Sequence, residues 1–127
     1  MLLIAMALVA TPAPESAGER AWRACVDRTT TNYDWAKCGG EYVRRADAAL
    51  NAEWNLLLAL AEGKTRANLL AEERAWITYR TKACEFYADG EQGREGQVLH
   101  YQGCVAGVIE RRTAELAAYR RDLAGPQ

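Results

Sequence analysis

The sequence predicts an all-α protein: a small antiparallel bundle of three long helices plus a short N-terminal helix, stapled by two disulfides. Helix-forming residues dominate, and apolar residues recur at helical spacing over three long segments. The chain contains four cysteines and no CxxC pair, which favours disulfides. With 127 residues, half of them hydrophobic, it is long enough to form one domain with its own core.

Residues 1–17 are interpreted as a signal peptide or a disordered N-terminal tail, and residues 18–124 as a single helical domain. The apolar run MLLIAMALVA is too short to span a bilayer and is typical of the hydrophobic part of a secretory signal. No Lys or Arg precedes it and no clean cleavage site follows, so the start codon and the cleavage site stay open. We expect a periplasmic or secreted protein, without stable membrane insertion after signal removal.

The charge balance argues against two classes of partner. The net charge is −1, and a nearly neutral chain has no overall field that attracts nucleic acid or an anionic membrane. Neither is expected as a partner.

The four cysteines are Cys25, Cys38, Cys84 and Cys104. Zinc sites need ligand pairs two to four residues apart, and the chain has a single histidine, so neither a metal site nor a cofactor is expected. Of three possible pairings we favour Cys25–Cys38 and Cys84–Cys104, because each closes a short loop. Two disulfides indicate an oxidising compartment; free buried thiols in a cytosolic protein are the alternative.

The first two helices are predicted from capping and periodicity. A short helix runs from about 19 to 29, with Trp22, Cys25 and Val26 inward. Thr31 is the expected N-cap of a long second helix toward residue 62. Gly39–Gly40 is a candidate break or kink inside it, and Gly63 is the expected stop.

The last two helices flank a glycine-rich segment. The third is expected over 65–88, the segment DGEQGREG at 89–96 is expected to be a loop, and the last helix is expected over 97–123. Cys84 and Cys104 flank the loop, which is consistent with their pairing.

The third predicted helix carries a stripe of mixed chemistry. Glu73, Trp76, Arg80 and Cys84 fall on one face at about 100° per residue. A buried arginine needs a carboxylate; the candidates are Asp47, Glu53 and Glu73, with Asp47 the first choice. If the pair is buried, truncating Arg80 costs about 3–5 kcal/mol. The alternative is a half-buried arginine that lies over Trp76 with its head in water.

The second helix has a broad side with Asp47, Leu50, Asn51, Trp54 and Leu58. Polar residues beside a tryptophan form either an interface patch or ordinary core with helix-surface polarity.

No catalytic residues are predicted, and we do not expect an enzyme. The chain lacks HExxH, P-loop and GxGxxG motifs, and its one histidine, His100, lies beside the glycine-rich segment. Glu72 and Glu73 are adjacent and are expected to point to different faces.

Taken together, the segments EYVRRADAALNAEW, LLAEERAWITYRTKAC and ERRTAEL with the cysteines resemble the lysozyme inhibitor LprI-like N-terminal domain family, also called DUF1311. The resemblance covers about residues 25–120. The family pattern falls on Asp47, Leu50, Asn51 and Trp54, then Ala75, Trp76, Tyr79, Arg80 and Cys84, then Arg112, Thr113 and Leu116. The chain departs from it at Trp54, Glu73 and Thr81, where the family often has Tyr, Gln and Asp, and it lacks the lipid-attachment cysteine of the inhibitor that gives the family its name.

The resemblance implies an exported bacterial module that blocks lysozyme by protein–protein binding. Lysozyme works with two carboxylates in its cleft, so arginines are natural groups to present to it. The candidates are Arg44, Arg45, Arg94, Arg111 and Arg112. Many lysozymes are strongly basic, and a neutral inhibitor gains little long-range steering toward them. The alternative is a structural or interaction protein of the cell envelope; partner, binding surface and oligomeric state stay open.

Overall fold

The structure is a computed structural model that describes residues 11–125. Its helices are α1 Ala17–Asp27, α2 Asn32–Leu60, α3 Gly63–Ala83, α4 Glu85–Ala88, α5 Gly93–Glu95 and α6 Tyr101–Ala124. A 3₁₀ turn, Gly90–Gln92, precedes α5, and a π turn, Gly96–His100, leads into α6. The described residues contain no strand, and the predicted all-α fold is confirmed.

Side-chain oxygens cap the first two helices. Ser16 accepts a hydrogen bond from the Glu19 amide at 2.9 Å, and Thr31 accepts one from the Asp34 amide at 3.1 Å. Each bond satisfies one of the amides that the first turn of a helix leaves unpaired. Thr31 is therefore the N-cap that the sequence predicted.

Three helices, α2, α3 and α6, form an up-down-up arrangement. Gln102 donates to the Ala36 carbonyl near the start of both α2 and α6, and Arg120 pairs with Glu53 near their ends, so these two helices run parallel. The helix between them in sequence, α3, is antiparallel to both. The core lies along their shared axis: Tyr42, Ala46, Leu50, Leu57, Ala61, Leu69, Ala106, Ile109 and Leu116.

The Gly39–Gly40 pair does not break α2. The helix continues through both residues. The absence of a side chain at Gly39 lets α6 approach, since a Cβ at this position would lie 2.7 Å from the Gln102 Cβ. The expected stop at Gly63 is also wrong. The second helix ends at Leu60 with Ala61 as its cap, and Gly63, with a φ of 53°, begins α3.

The third helix ends earlier than predicted. Cys84 has a φ of −117° and a ψ of 10°, outside the helical region, so α3 stops at Ala83 and the short α4 continues to Ala88. The predicted loop at 89–96 instead contains two short helical turns.

Both disulfide pairings are confirmed. Cys25 pairs with Cys38 at a Cα–Cα distance of 5.8 Å, and Cys84 pairs with Cys104 at 5.9 Å. The first bond ties α1 to α2. The second joins the end of α3 to the start of α6.

Part of the predicted N-terminal segment lies outside the described residues, namely residues 1–10. Residues 11–16 contain no helix, and α1 begins at Ala17, inside the predicted segment 1–17. In the range 11–125, no helix has the length and apolarity needed to cross a bilayer.

Candidate partner-binding site

A polar cluster holds α3 against α6. The side chain of Arg112 is 2 % exposed. Its Nη1 lies 2.6 Å from Oε1 of Glu72 and 2.6 Å from Oε1 of Glu115, and its Nη2 donates to Oε2 of Glu73 at 2.7 Å. The Tyr119 hydroxyl lies 3.1 Å from the same Glu72 oxygen. Three carboxylates therefore surround one buried guanidinium, which satisfies its charge and its hydrogen-bond donors.

The environment changes the ionisation of this cluster. Burial alone would raise the pKa of Glu72, but hydrogen bonds from Arg112 and Tyr119 hold that pKa below its usual value. Burial, together with the neighbouring Glu72 carboxylate, raises the pKa of Tyr119 to about 12. At neutral pH, Glu72 is therefore ionised and Tyr119 is neutral.

The predicted pair between Arg80 and Asp47 is confirmed. Nη1 of Arg80 lies 3.0 Å from Oδ1 of Asp47, and Nη2 donates to Oδ2 at 3.2 Å. The side chains are 31 % and 36 % exposed, so the assumption that this pair is buried is wrong. Removing the Arg80–Asp47 pair therefore costs far less than 3–5 kcal/mol of stability. The alternative, with the head of Arg80 in water, is found only in part: the guanidinium lies 6.0 Å from the Trp76 ring centre but is bound to Asp47.

The remaining acids pair differently from the prediction. Glu53, a candidate partner of Arg80, binds Arg120 instead. Glu72 and Glu73 do not serve different faces, because both bind Arg112. Trp76 lies between the two polar groups, with the Arg112 guanidinium 5.8 Å from its ring centre.

Arg112 cannot present itself to a partner, contrary to the sequence-based proposal, because it is buried and bound to three acids. The other four arginines are exposed but do not form one patch. Arg44 is paired with Glu41, and Arg94 lies in the turn region beside Gln97. Arg45 lines a cavity between α2 and α6, and Arg111 lines another beside α1.

A cleft between α2 and α3 brings together several residues that the sequence singled out. We name it the α2–α3 groove; its volume is about 320 Å³. Its lining residues are Leu50, Asn51, Trp54, Leu70, Glu73, Arg74 and Ile77. Leu50 forms the buried floor, whereas Ile77 is 53 % exposed. Of the residues of the family pattern, Leu50, Asn51 and Trp54 thus share a surface, while Asp47 and Arg80 form their own pair.

Sequence reasoning missed Arg74 and the Arg112 cluster. Arg112 lies three or four residues from the apolar Ile109 and Leu116 and so shares their buried side of α6, and a buried arginine needs acids. The adjacent acids Glu72 and Glu73 were the available signal. No signal in the sequence pointed to Arg74, because only its position beside the α2–α3 groove in the folded protein sets it apart.

The described part of the chain shows no arrangement for metal chemistry: no group of three or more His, Cys, Asp or Glu side chains could hold an ion. His100 is exposed, and its ring lies 5.8 Å from that of Tyr87. All four cysteines are in disulfides.

Comparison with protein-family models matches residues 25–116 to the family described as lysozyme inhibitor LprI. An uncharacterized protein of Rhizobium meliloti (strain 1021) is 28% identical over 102 residues, which covers 70% of this chain and 73% of that protein. No solved structure matches the chain. Because the family match spans well over half of its residues, this protein belongs to the lysozyme inhibitor LprI family.

Proposed function

We propose that this protein is an exported binding module that inhibits lysozyme by protein–protein contact. The observation that carries the proposal is the family match over residues 25–116. A role in binding, without turnover, fits the site. Arg80 and Arg112 are paired with acids within the fold, and the exposed groove combines a tryptophan, an arginine and aliphatic side chains. Tryptophan and arginine are enriched among the residues that dominate binding energy at protein interfaces.

Export to the periplasm or beyond is part of the proposal. Two disulfides fix α1 and the turn between α3 and α6, and such bonds persist in oxidising compartments. Mass spectrometry of the protein recovered from the periplasm and the medium tests this step. We expect both disulfides intact and an N-terminus downstream of the apolar run.

The functional test is a lysozyme turbidity assay with purified, oxidised residues 11–127, which keep the Ser16 cap of α1, and several lysozyme types. We expect inhibition that saturates at a defined stoichiometry and is lost after reduction of the disulfides. Absence of both binding and inhibition at a large excess over every lysozyme would contradict the proposal. An envelope interaction protein without lysozyme inhibition would then be the better description.

A further inference from the structure

We propose that the α2–α3 groove is the surface that contacts lysozyme, and that Arg74 recognises a carboxylate of the enzyme's cleft. This inference rests on the proposed function and names the surface and the chemistry that it uses. The groove receives an apolar side chain of the enzyme, and Arg74 binds the carboxylate beside it.

The first step is the charge of α3. The sequence of its middle, EERAW, contains two acids beside Arg74. Both acids are turned toward α6, where they bind Arg112, and Glu73 is only 15 % exposed. Within residues 11–125, Arg74 forms no salt bridge. Glu73 also lines the groove, but its carboxylate is bound to Arg112. Of the two charged side chains in the lining, Arg74 is therefore the one without an ion-pair partner.

The second step is the apolar surface beside this charge. Leu70 and Trp54 are partly buried and Ile77 is half exposed, and all three line the same groove. Exposed hydrophobic residues scattered singly are normal, but here they adjoin a cavity and an unpaired arginine. An apolar centre with a polar rim is the usual anatomy of a protein–protein interface.

The third step is the occupant. A glycoside hydrolase cleft carries two carboxylates that flank the scissile bond. Arginine binds carboxylates through two parallel N–H donors, which gives geometric specificity as well as energy. The groove has Arg74 for the carboxylate, Asn51 as a further polar contact, and apolar walls for a neighbouring side chain. Because Arg74 is positively charged, charge complementarity favours contact with the cleft carboxylates over contact with a basic segment of the enzyme.

The test compares Arg74→Glu and Ile77→Asp with the matched control Arg121→Glu, which reverses an exposed arginine in the last turn of α6, outside the groove. Binding is measured by calorimetry and inhibition by turbidity. Circular dichroism and thermal melts establish that each variant is folded. We expect each groove variant to weaken binding about 30-fold, as loss of an interface hot spot does, and the control to change it less than about threefold.

A second measurement identifies the group that Arg74 contacts. One cleft carboxylate of lysozyme is replaced by its amide, and the effect of Arg74→Glu is measured again. We expect that effect to shrink severalfold for one of the two amide variants, as for directly coupled residues. If wild-type protein inhibits and Arg74→Glu does so equally well, the surface assignment is wrong and the proposed function stands. If wild-type protein binds no lysozyme, both fall together.

Discussion

At the scale of single residues, the most demanding environment belongs to Arg112. Its guanidinium is buried, and the acids around it differ in exposure: Glu73 is 15 % exposed, Glu72 42 % and Glu115 50 %. Removing the arginine would leave Glu73 without its cation in a poorly solvated position, whereas Glu72 and Glu115 can turn toward water. The stability lost on removing Arg112 is therefore set mainly by Glu73.

We expect Arg112→Met to lower the free energy of unfolding by about 3 kcal/mol, the lower end of the range for breaking a buried pair. Urea unfolding with a common slope measures the change. Arg80→Met is the matched comparison, since it removes a half-exposed pair and should cost about 1 kcal/mol or less. An Arg112→Met variant as stable as Arg80→Met would show that α3 does not depend on this cluster.

The same cluster makes stability depend on pH. The pKa of Glu72 is lower in the folded protein than the ordinary value of 4.5, because Arg112 and Tyr119 donate hydrogen bonds to its carboxylate. The ionised Glu72 therefore contributes to the free energy of unfolding above about pH 4.5, and this contribution is lost as the pH falls through the pKa of Glu72 in the folded protein. We expect Glu72→Gln to be less stable than wild type at pH 7, and we expect the difference to shrink as the pH falls below 4.5. A difference that stays constant from pH 7 to pH 2.5, measured by urea midpoints, would contradict this linkage.

At the scale of helices, spacing and caps in the sequence were enough to place most of the elements. Thr31 capped α2 as expected, and the cysteines paired as expected. The errors occurred where a neighbouring helix decides the outcome. Gly39 gives α6 room to approach and does not break α2, and Glu72 and Glu73 share one partner because α6 places Arg112 between them. Such contacts depend on the relative offset and rotation of two helices, which periodicity within one helix does not contain.

The two adjacent glycines of α2 allow a controlled test of this contact. Gly39→Ala would place a Cβ 2.7 Å from the Gln102 Cβ, and we expect it to cost about 1–3 kcal/mol through overpacking. At Gly40 the nearest atom is the Gln102 Oε1 at 3.6 Å, an ordinary contact. We expect Gly40→Ala to stabilise by about 0.5–1 kcal/mol, because alanine loses less backbone entropy in a helix. Thermal melts that give the two variants the same sign would refute this account of α2–α6 packing.

The helices also differ in how firmly they are held. Leu69 is the one buried residue of α3, whereas α2 buries six residues. We expect the amides of α3 to exchange with solvent at a lower free energy of opening than those in the middle of α2 and α6. Hydrogen exchange by NMR measures this directly. Equal protection across the three helices would mean that Arg112 and Arg80 hold α3 as firmly as apolar burial holds the other two.

At the scale of the whole molecule, the disulfides hold in place the segments that have few buried residues of their own. No residue of α1 is buried. It is held by its bond to Cys38 and by Trp22, whose ring packs against Gly103 and stacks on Tyr42 at 5.7 Å. The other bond closes the turn region between α3 and α6, where three glycines lower the local propensity for helix.

We expect each double variant, Cys25→Ser/Cys38→Ser and Cys84→Ser/Cys104→Ser, to lose about 3 kcal/mol of stability, because the bonds close loops of 13 and 20 residues in the unfolded chain. Urea unfolding measures both losses, with oxidised wild type as the control. Their structural effects should differ. Without Cys25–Cys38, exchange should accelerate in α1 far more than in α2 and α6. Without Cys84–Cys104, protection should fall in α3 as well, since its C-terminal end loses its covalent tie to α6. Uniform loss of protection in both variants would mean that the protein unfolds as one cooperative unit.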